Sequence, residues 1–117
     1  IEEAGCDRLV SVALDQGHQT PVVMHQPADF AGYLALSSDG AQLAWVEWQQ
    51  PSMPWDCSQL VLARLTTSGA LEDCHVIAGG EPSQPQGISV FQPQWLPDGS
   101  LVVAEDSSGW WNLMRHP

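Results

Sequence analysis

Phe91-Gln92-Pro93-Gln94-Trp95-Leu96-Pro97-Asp98-Gly99-Ser100-Leu101-Val102-Val103-Ala104 is the stretch whose reading decides the fold. It reads as an aromatic-anchored strand, a Pro-Asp-Gly turn and a second apolar strand running back. Pro97 fixes its φ and starts the turn, Asp98 can bond the backbone two residues on, and Gly99 tolerates positive φ. Apolar runs on both sides make this a hairpin. The device recurs earlier as Tyr33-Leu34-Ala35-Leu36-Ser37-Ser38-Asp39-Gly40-Ala41-Gln42-Leu43-Ala44-Trp45-Val46. From Asp39 to Asp98 is 59 residues, and a hairpin returning at a long fixed interval marks a repeat architecture.

Working outward, short strands separated by turns fill the rest. The pattern predicts strands over 8–14, 20–26, 30–36, 42–48, 59–65, 74–78 and 110–115, besides the hairpin at 91–104. Pro21 belongs at the start or on the edge of its strand, because it cannot donate to a ladder. In Leu43-Ala44-Trp45-Val46-Glu47-Trp48 the period of two places Leu43, Trp45 and Glu47 on one face and Ala44, Val46 and Trp48 on the other. Asp15-Gln16-Gly17, Thr66-Thr67-Ser68-Gly69 and 105–109 read as turns, and 49–58 and 79–89 as long loops. No window carries a helical apolar stripe, and Gly and Pro interrupt almost everywhere.

The chain is therefore expected to be all-β. Four-stranded antiparallel meanders in radial repetition form a β-propeller. The expectation is a partial propeller of about two blades: strands C and D of one blade over 1–27, a full blade over 28–79, and strands A, B and C of a third over 80–117. A period of 59 residues exceeds the roughly 40–50 of common propeller repeats, and the two long loops account for the excess.

Composition narrows the function classes. Fourteen acidic residues stand against three arginines (Arg8, Arg64, Arg115) and no lysine, for a net charge of −11. Nucleic acid is not an expected partner, since Lys and Arg must displace counterions from phosphate. An anionic membrane surface is not expected either, and no apolar run approaches the roughly 20 residues of a transmembrane helix. Cys6, Cys57 and Cys74 cannot all pair and form no Cys-x-x-Cys, which suits free thiols in a reducing cytoplasm. His18, His25, His75 and His116 fit no metal-ligand spacing, so neither metal nor cofactor is expected. The opening Ile1-Glu2-Glu3, without an initiator Met, reads as a piece of something larger.

The motifs then become specific. Leu43-Ala44-Trp45-Val46-Glu47-Trp48 followed by Met53-Pro54-Trp55-Asp56 resembles the propeller of the prolyl oligopeptidase family, in its acylaminoacyl-peptidase/dipeptidyl-aminopeptidase branch. Phe91-Gln92-Pro93-Gln94-Trp95, Pro97-Asp98-Gly99 and Asp106-Ser107-Ser108-Gly109-Trp110-Trp111-Asn112-Leu113 resemble the same propeller. The matching region runs from about Tyr33 to Arg115. Ser38, Leu96 and Ser107 depart from the family's usual residues, without disturbing the turns. The resemblance implies a serine peptidase whose propeller covers a separate α/β-hydrolase domain with a Ser-Asp-His triad, acting on short peptides. No Gly-x-Ser-x-Gly nucleophile elbow is present here, so this piece itself is not expected to catalyse.

In an antiparallel meander the 49–58 and 79–89 loops and the 105–109 turn open on one face, expected to look toward the hydrolase domain. Trp55, Asp56, Asp106 and Trp110 are the substrate-contact candidates. For each a structural role competes: Trp55 packing over the blade edge, Asp56 capping its loop, Asp106 making an Asx turn to Ser108 or Gly109. Asp39, Gly40, Asp98 and Gly99 are turn residues, and Trp45 and Trp95 belong to the core between blades. Two partial blades leave faces and an edge uncovered, so self-association of the piece is expected. A rival reading is a TolB-like or WD-type propeller that binds protein partners and has no peptidase domain.

Overall fold

The computed structural model describes residues 2–3, 5–15, 17, 20–84 and 87–117. Residue 16 of the expected 15–17 turn and residues 85 and 86 of the expected 79–89 loop lie outside them. All regular structure among the described residues is β. The strands are β1 (Glu2–Glu3), β2 (Cys6–Asp7), β3 (Leu9–Ser11), β4 (Val22–His25), β5 (Phe30–Leu36), β6 (Gln42–Trp48), β7 (Gln59–Leu65), β8 (Leu71–Gly79), β9 (Val90–Trp95), β10 (Leu101–Glu105) and β11 (Asn112–His116). They form antiparallel sheets in the orders β1-β2, β3-β4, β5-β6-β7-β8 and β9-β10-β11. This is a partial propeller, as the hairpin repeat predicts.

The two central strands of the four-stranded sheet are covered on both faces, and their alternation decides what each face touches. Ala44, Val46 and Leu60 pack against Val90, Leu101 and Val103 of the next sheet, with Trp48, Leu62, Ile77 and Trp95 around them. Leu43, Trp45, Val61 and Ala63 pack the other way, against Leu9 of β3. Trp45, Val46 and Leu60 are fully buried. Burying an aliphatic side chain of this size stabilises by about 1.5–3 kcal/mol, so these two layers hold the sheets together. The Trp95 indole adds a directional link, its Nε1 donating to Ala35 O at 2.9 Å.

Some boundaries differ from the sequence reading. β3 and β4 are shorter than 8–14 and 20–26: Val12 and Leu14, past the end of β3, lie exposed, and Pro21, just before β4, has no N–H for the ladder. β8 starts at Leu71 rather than at 74: the ladder extends through Leu65↔Leu71 and Arg64↔Glu72, and Arg64 ties Glu72 (2.6 Å) and Asp73 (2.9 Å) to its own strand. β11 starts at Asn112 rather than Trp110, since Gly109, in the left-handed region, still belongs to the turn.

A second repeat lies inside the strands. Pairing of β5 with β6 shifts between Gly32 and Ala35, and pairing of β9 with β10 shifts between Val102 and Ala104. Tyr33 (φ 56°) and Gln92 (φ 53°) sit within these bulges. They are 59 residues apart, the same interval as the Asp-Gly turns. A non-glycine residue in this region costs about 1–3 kcal/mol, so both bulges are held by the surrounding sheet.

Candidate functional site

Three connections meet at one end of the sheets. The β6–β7 loop is closed on itself by Asp56, whose Oδ2 accepts from Met53 N at 3.0 Å while Asp56 N donates to Met53 O at 2.9 Å. The β8–β9 connection presses against it. Ser58 N donates to Ile88 O at 3.0 Å, and Gly80 N donates to Ser58 O at 3.1 Å. The approach leaves no room for side chains: a Cβ at Gly87 would stand 1.9 Å from Asp56 O, and one at Gly79 would stand 2.1 Å from Ser58 O. Ser58 then locks onto β9, its hydroxyl accepting from Val90 N at 2.9 Å and donating to Val90 O at 3.1 Å.

The β10–β11 turn joins the same cluster through Asp106. Its Oδ1 accepts from Ser89 N at 2.6 Å, and Asp106 N donates to Ser89 O at 3.2 Å. The expected Asx turn to Ser108 or Gly109 is therefore replaced by a bond across to Ser89, the residue before β9; Gly109 N donates to Asp106 O, a backbone contact. A turn of its own would leave Ser89 N, next to the buried Val90, without this acceptor. The three connections form one hydrogen-bonded rim.

The sequence candidates divide on this rim. Asp56 and Asp106 spend their carboxylates on the rim's backbone. Trp55 is 59% exposed and Trp110 is 80% exposed, so neither indole packs into the core. Trp110 O accepts from Asn112 Nδ2 at 3.2 Å, which fixes the backbone that carries the exposed ring. The rim thus presents two free indoles on a braced backbone.

Asp39, Gly40, Asp98 and Gly99 lie at the opposite end. Asp39 Oδ1 accepts from the Ser37 hydroxyl at 2.6 Å and Ala41 N at 3.0 Å. Asp98 Oδ1 accepts from the Ser100 hydroxyl at 2.6 Å and Ser100 N at 3.0 Å, and Arg115 pairs with its Oδ2. These serine hydroxyls, followed by the backbone N–H groups, hold both carboxyls below the ordinary carboxylate range. Gly40 and Gly99 take φ values of 71° and 84°, which close the two turns.

One polar cluster went unread in the sequence. His25 Nε2 meets Glu47 Oε1 at 2.6 Å, and Trp45 Nε1 donates to the same oxygen at 2.7 Å. The cluster ties β4 to β6, and the rings of His25 and Trp45 lie 5.1 Å apart. A signal was available: Glu47 falls on the Trp45 face, and a carboxylate on a covered face needs a donor. Among the described residues no three or more His, Cys, Asp or Glu side chains converge to hold a metal ion.

No family model matches the chain, and no curated protein matches it. Solved structures do. A puromycin hydrolase is 38% identical with a TM-score of 0.73, over 81% of this chain and 14% of its own. The S511A mutant of a puromycin hydrolase complexed with PGG is 39% identical with a TM-score of 0.74, over 83% of this chain and 14% of its own. A puromycin-hydrolyzing peptidase of Mycobacterium tuberculosis is 32% identical with a TM-score of 0.73, over 86% of this chain. The chain spans about one seventh of the length of the structures it matches. The resemblance carried by the Trp-rich motifs is borne out: over 81–86% of its length the chain is structurally similar to the propeller region of prolyl oligopeptidase-family peptidases.

Proposed function

We propose that the chain is a non-catalytic propeller segment of a serine peptidase of the acylaminoacyl-peptidase/dipeptidyl-aminopeptidase group. Its rim helps line the passage of short peptides toward a separate α/β-hydrolase domain that carries the Ser-Asp-His triad. The observation that carries this reading is the braced rim itself: three connections bonded together, with Trp55 and Trp110 left exposed on it. Rigid loops bearing free aromatic rings suit contact with extended peptides, because an indole offers large contact area at low entropic cost. Chemistry belongs to the hydrolase domain, and the propeller supplies selection by access. Free Cys6, Cys57 and Cys74 accompany a cytoplasmic setting in the same proposal.

The test is made on the full-length protein. A serine-directed fluorophosphonate should label it, and it should hydrolyse aminoacyl chromogenic amides, with puromycin as a further substrate because the similar proteins are named for it. Trp55→Ala and Trp110→Ala should alter kcat/KM for peptides of three or more residues while sparing single aminoacyl amides. Absence of labelling and of hydrolysis would refute the peptidase reading and leave a propeller that binds protein partners.

A further inference from the structure

Asp39-Gly40 and Asp98-Gly99 close the two matching hairpins at the end of the sheets away from the rim, and Asp39 and Asp98 line one open cleft there. An aspartate followed by glycine is also the pair in which a backbone most readily attacks its own side chain, since glycine puts no Cβ in the way. The glycine nitrogen adds to the aspartate Cγ, the carboxyl hydroxyl leaves as water with the amide proton, and a five-membered succinimide forms. Water then opens the ring. Cleavage at the side-chain carbonyl restores aspartate, whereas cleavage at the main-chain carbonyl leaves the chain running through Cγ as isoaspartate. One water leaves and one enters, so nothing is oxidised or reduced and no other reactant is needed.

Ring closure requires a neutral carboxyl, a side chain free to swing toward the next nitrogen, and an N–H that is not already engaged. Both turns oppose it to a degree. Gly40 N donates to Ser37 O at 2.9 Å, and Gly99 N donates to Leu96 O at 3.0 Å. Each carboxylate is held through Oδ1 by a serine hydroxyl and a backbone N–H, which favours the ionised form.

The second oxygens differ. Arg115 pairs with Oδ2 of Asp98, and its Nε donates to Ser100 Oγ at 2.9 Å. One guanidinium therefore fixes both the carboxylate and the serine that binds it, and its charge opposes the neutral form that ring closure needs. Cations are scarce in this chain, with three arginines and no lysine, and Arg64 is taken by Glu72 and Asp73. Among the described residues no cation pairs with Asp39, whose carboxylate hangs on Ser37 and Ala41 through one oxygen.

We propose that Asp39-Gly40 is a site of spontaneous isomerisation to isoaspartate, and that Ser100 and Arg115 shield Asp98-Gly99 from the same reaction. The modification inserts a methylene into the backbone of the β5–β6 turn. It does not depend on the peptidase reading. The full-length protein is aged at neutral pH in oxygen-18 water and then digested with trypsin in ordinary water. Cleavage after Arg64 puts Asp39 and Asp98 on separate peptides. Electron-transfer fragmentation distinguishes isoaspartate from aspartate at each, and heavy oxygen at the residue counts ring openings. The expected result is isoaspartate accumulating at least threefold faster at Asp39 than at Asp98. Arg115→Gln, at a side chain 59% exposed, should raise the rate at Asp98 at least threefold and leave that at Asp39 unchanged. In guanidinium, where the turns are lost, the two wild-type rates should rise and converge. Equal rates at the two folded turns overturn the inference, as does an Asp98 rate that Arg115→Gln leaves unchanged or raises only together with that of Asp39. A difference that persists in guanidinium overturns it as well, because local sequence rather than the folded contacts then sets the rates.

Discussion

Ser58→Ala tests how the rim is held to the sheet. Ser58 is 1% exposed and Val90 is fully buried. One hydroxyl serves both backbone groups of Val90, accepting from its N–H at 2.9 Å and donating to its carbonyl at 3.1 Å. Alanine removes the hydroxyl that serves both groups, at a site buried from solvent. An orphaned buried group costs about 1–3 kcal/mol, so two sharing one site should cost about 2–4 kcal/mol. With a urea slope of about 2 kcal/mol/M, the midpoint should fall by about 1–2 M. Intrinsic fluorescence suits the assay, because Trp48 and Trp95 pack in the layer beside Val90. Amide exchange should also quicken at residue 58, Gly80 and Val90, the donors of these bonds, before the rest of the sheet opens. A midpoint shift below about 0.3 M with unchanged exchange would show that the serine does not anchor the rim.

Gly87→Ala places a methyl 1.9 Å from Asp56 O, a backbone atom that cannot swing aside. It should destabilise by about 1–3 kcal/mol by the same denaturation assay and separate the two long loops. The Asp39 and Asp98 carboxyls have folded pKa values below their unfolded ones, so their contribution is complete above about 3.9 and is lost as pH falls through the folded values. Carboxyl-carbon NMR should find both midpoints below about 3.9, with Ser37→Ala raising that of Asp39 and leaving that of Asp98 in place. We also propose that the isolated segment self-associates through its uncovered faces, where Trp110 and Leu113 are largely exposed. Light scattering should show mass rising with concentration; a constant monomer mass would contradict this.

The fold was legible because its signals are local. Asp39-Gly40 and Asp98-Gly99 specify tight turns by their own chemistry, and the alternation in Leu43–Trp48 assigns each side chain to one of two faces. The bounds of β5, β6 and β7 agree with the predicted strands to the residue. Strand ends depend on partners: β8 begins before its local pattern does because Arg64 binds Glu72 and Asp73 across the ladder, a contact no local pattern encodes. β1 and β2, two residues each, carry too little pattern to be seen. The same divide runs through the rim. That the three connections share one end follows from meander topology, but the Asp106–Ser89 bond spans 17 residues and the Ser58–Val90 pair spans 32. The bulges at Tyr33 and Gln92 were hidden for another reason: neither is glycine, so nothing in their identity announces a left-handed backbone.

The central claim is that the braced rim of Trp55, Asp56, Asp106 and Trp110 faces a hydrolase domain, and a structure of the full-length protein tests it most directly. The two indoles should lie on the wall of a cavity shared with the nucleophilic serine, on the route that a short peptide takes to it. A structure with the rim on the propeller face away from the hydrolase, or with no hydrolase domain at all, would contradict it.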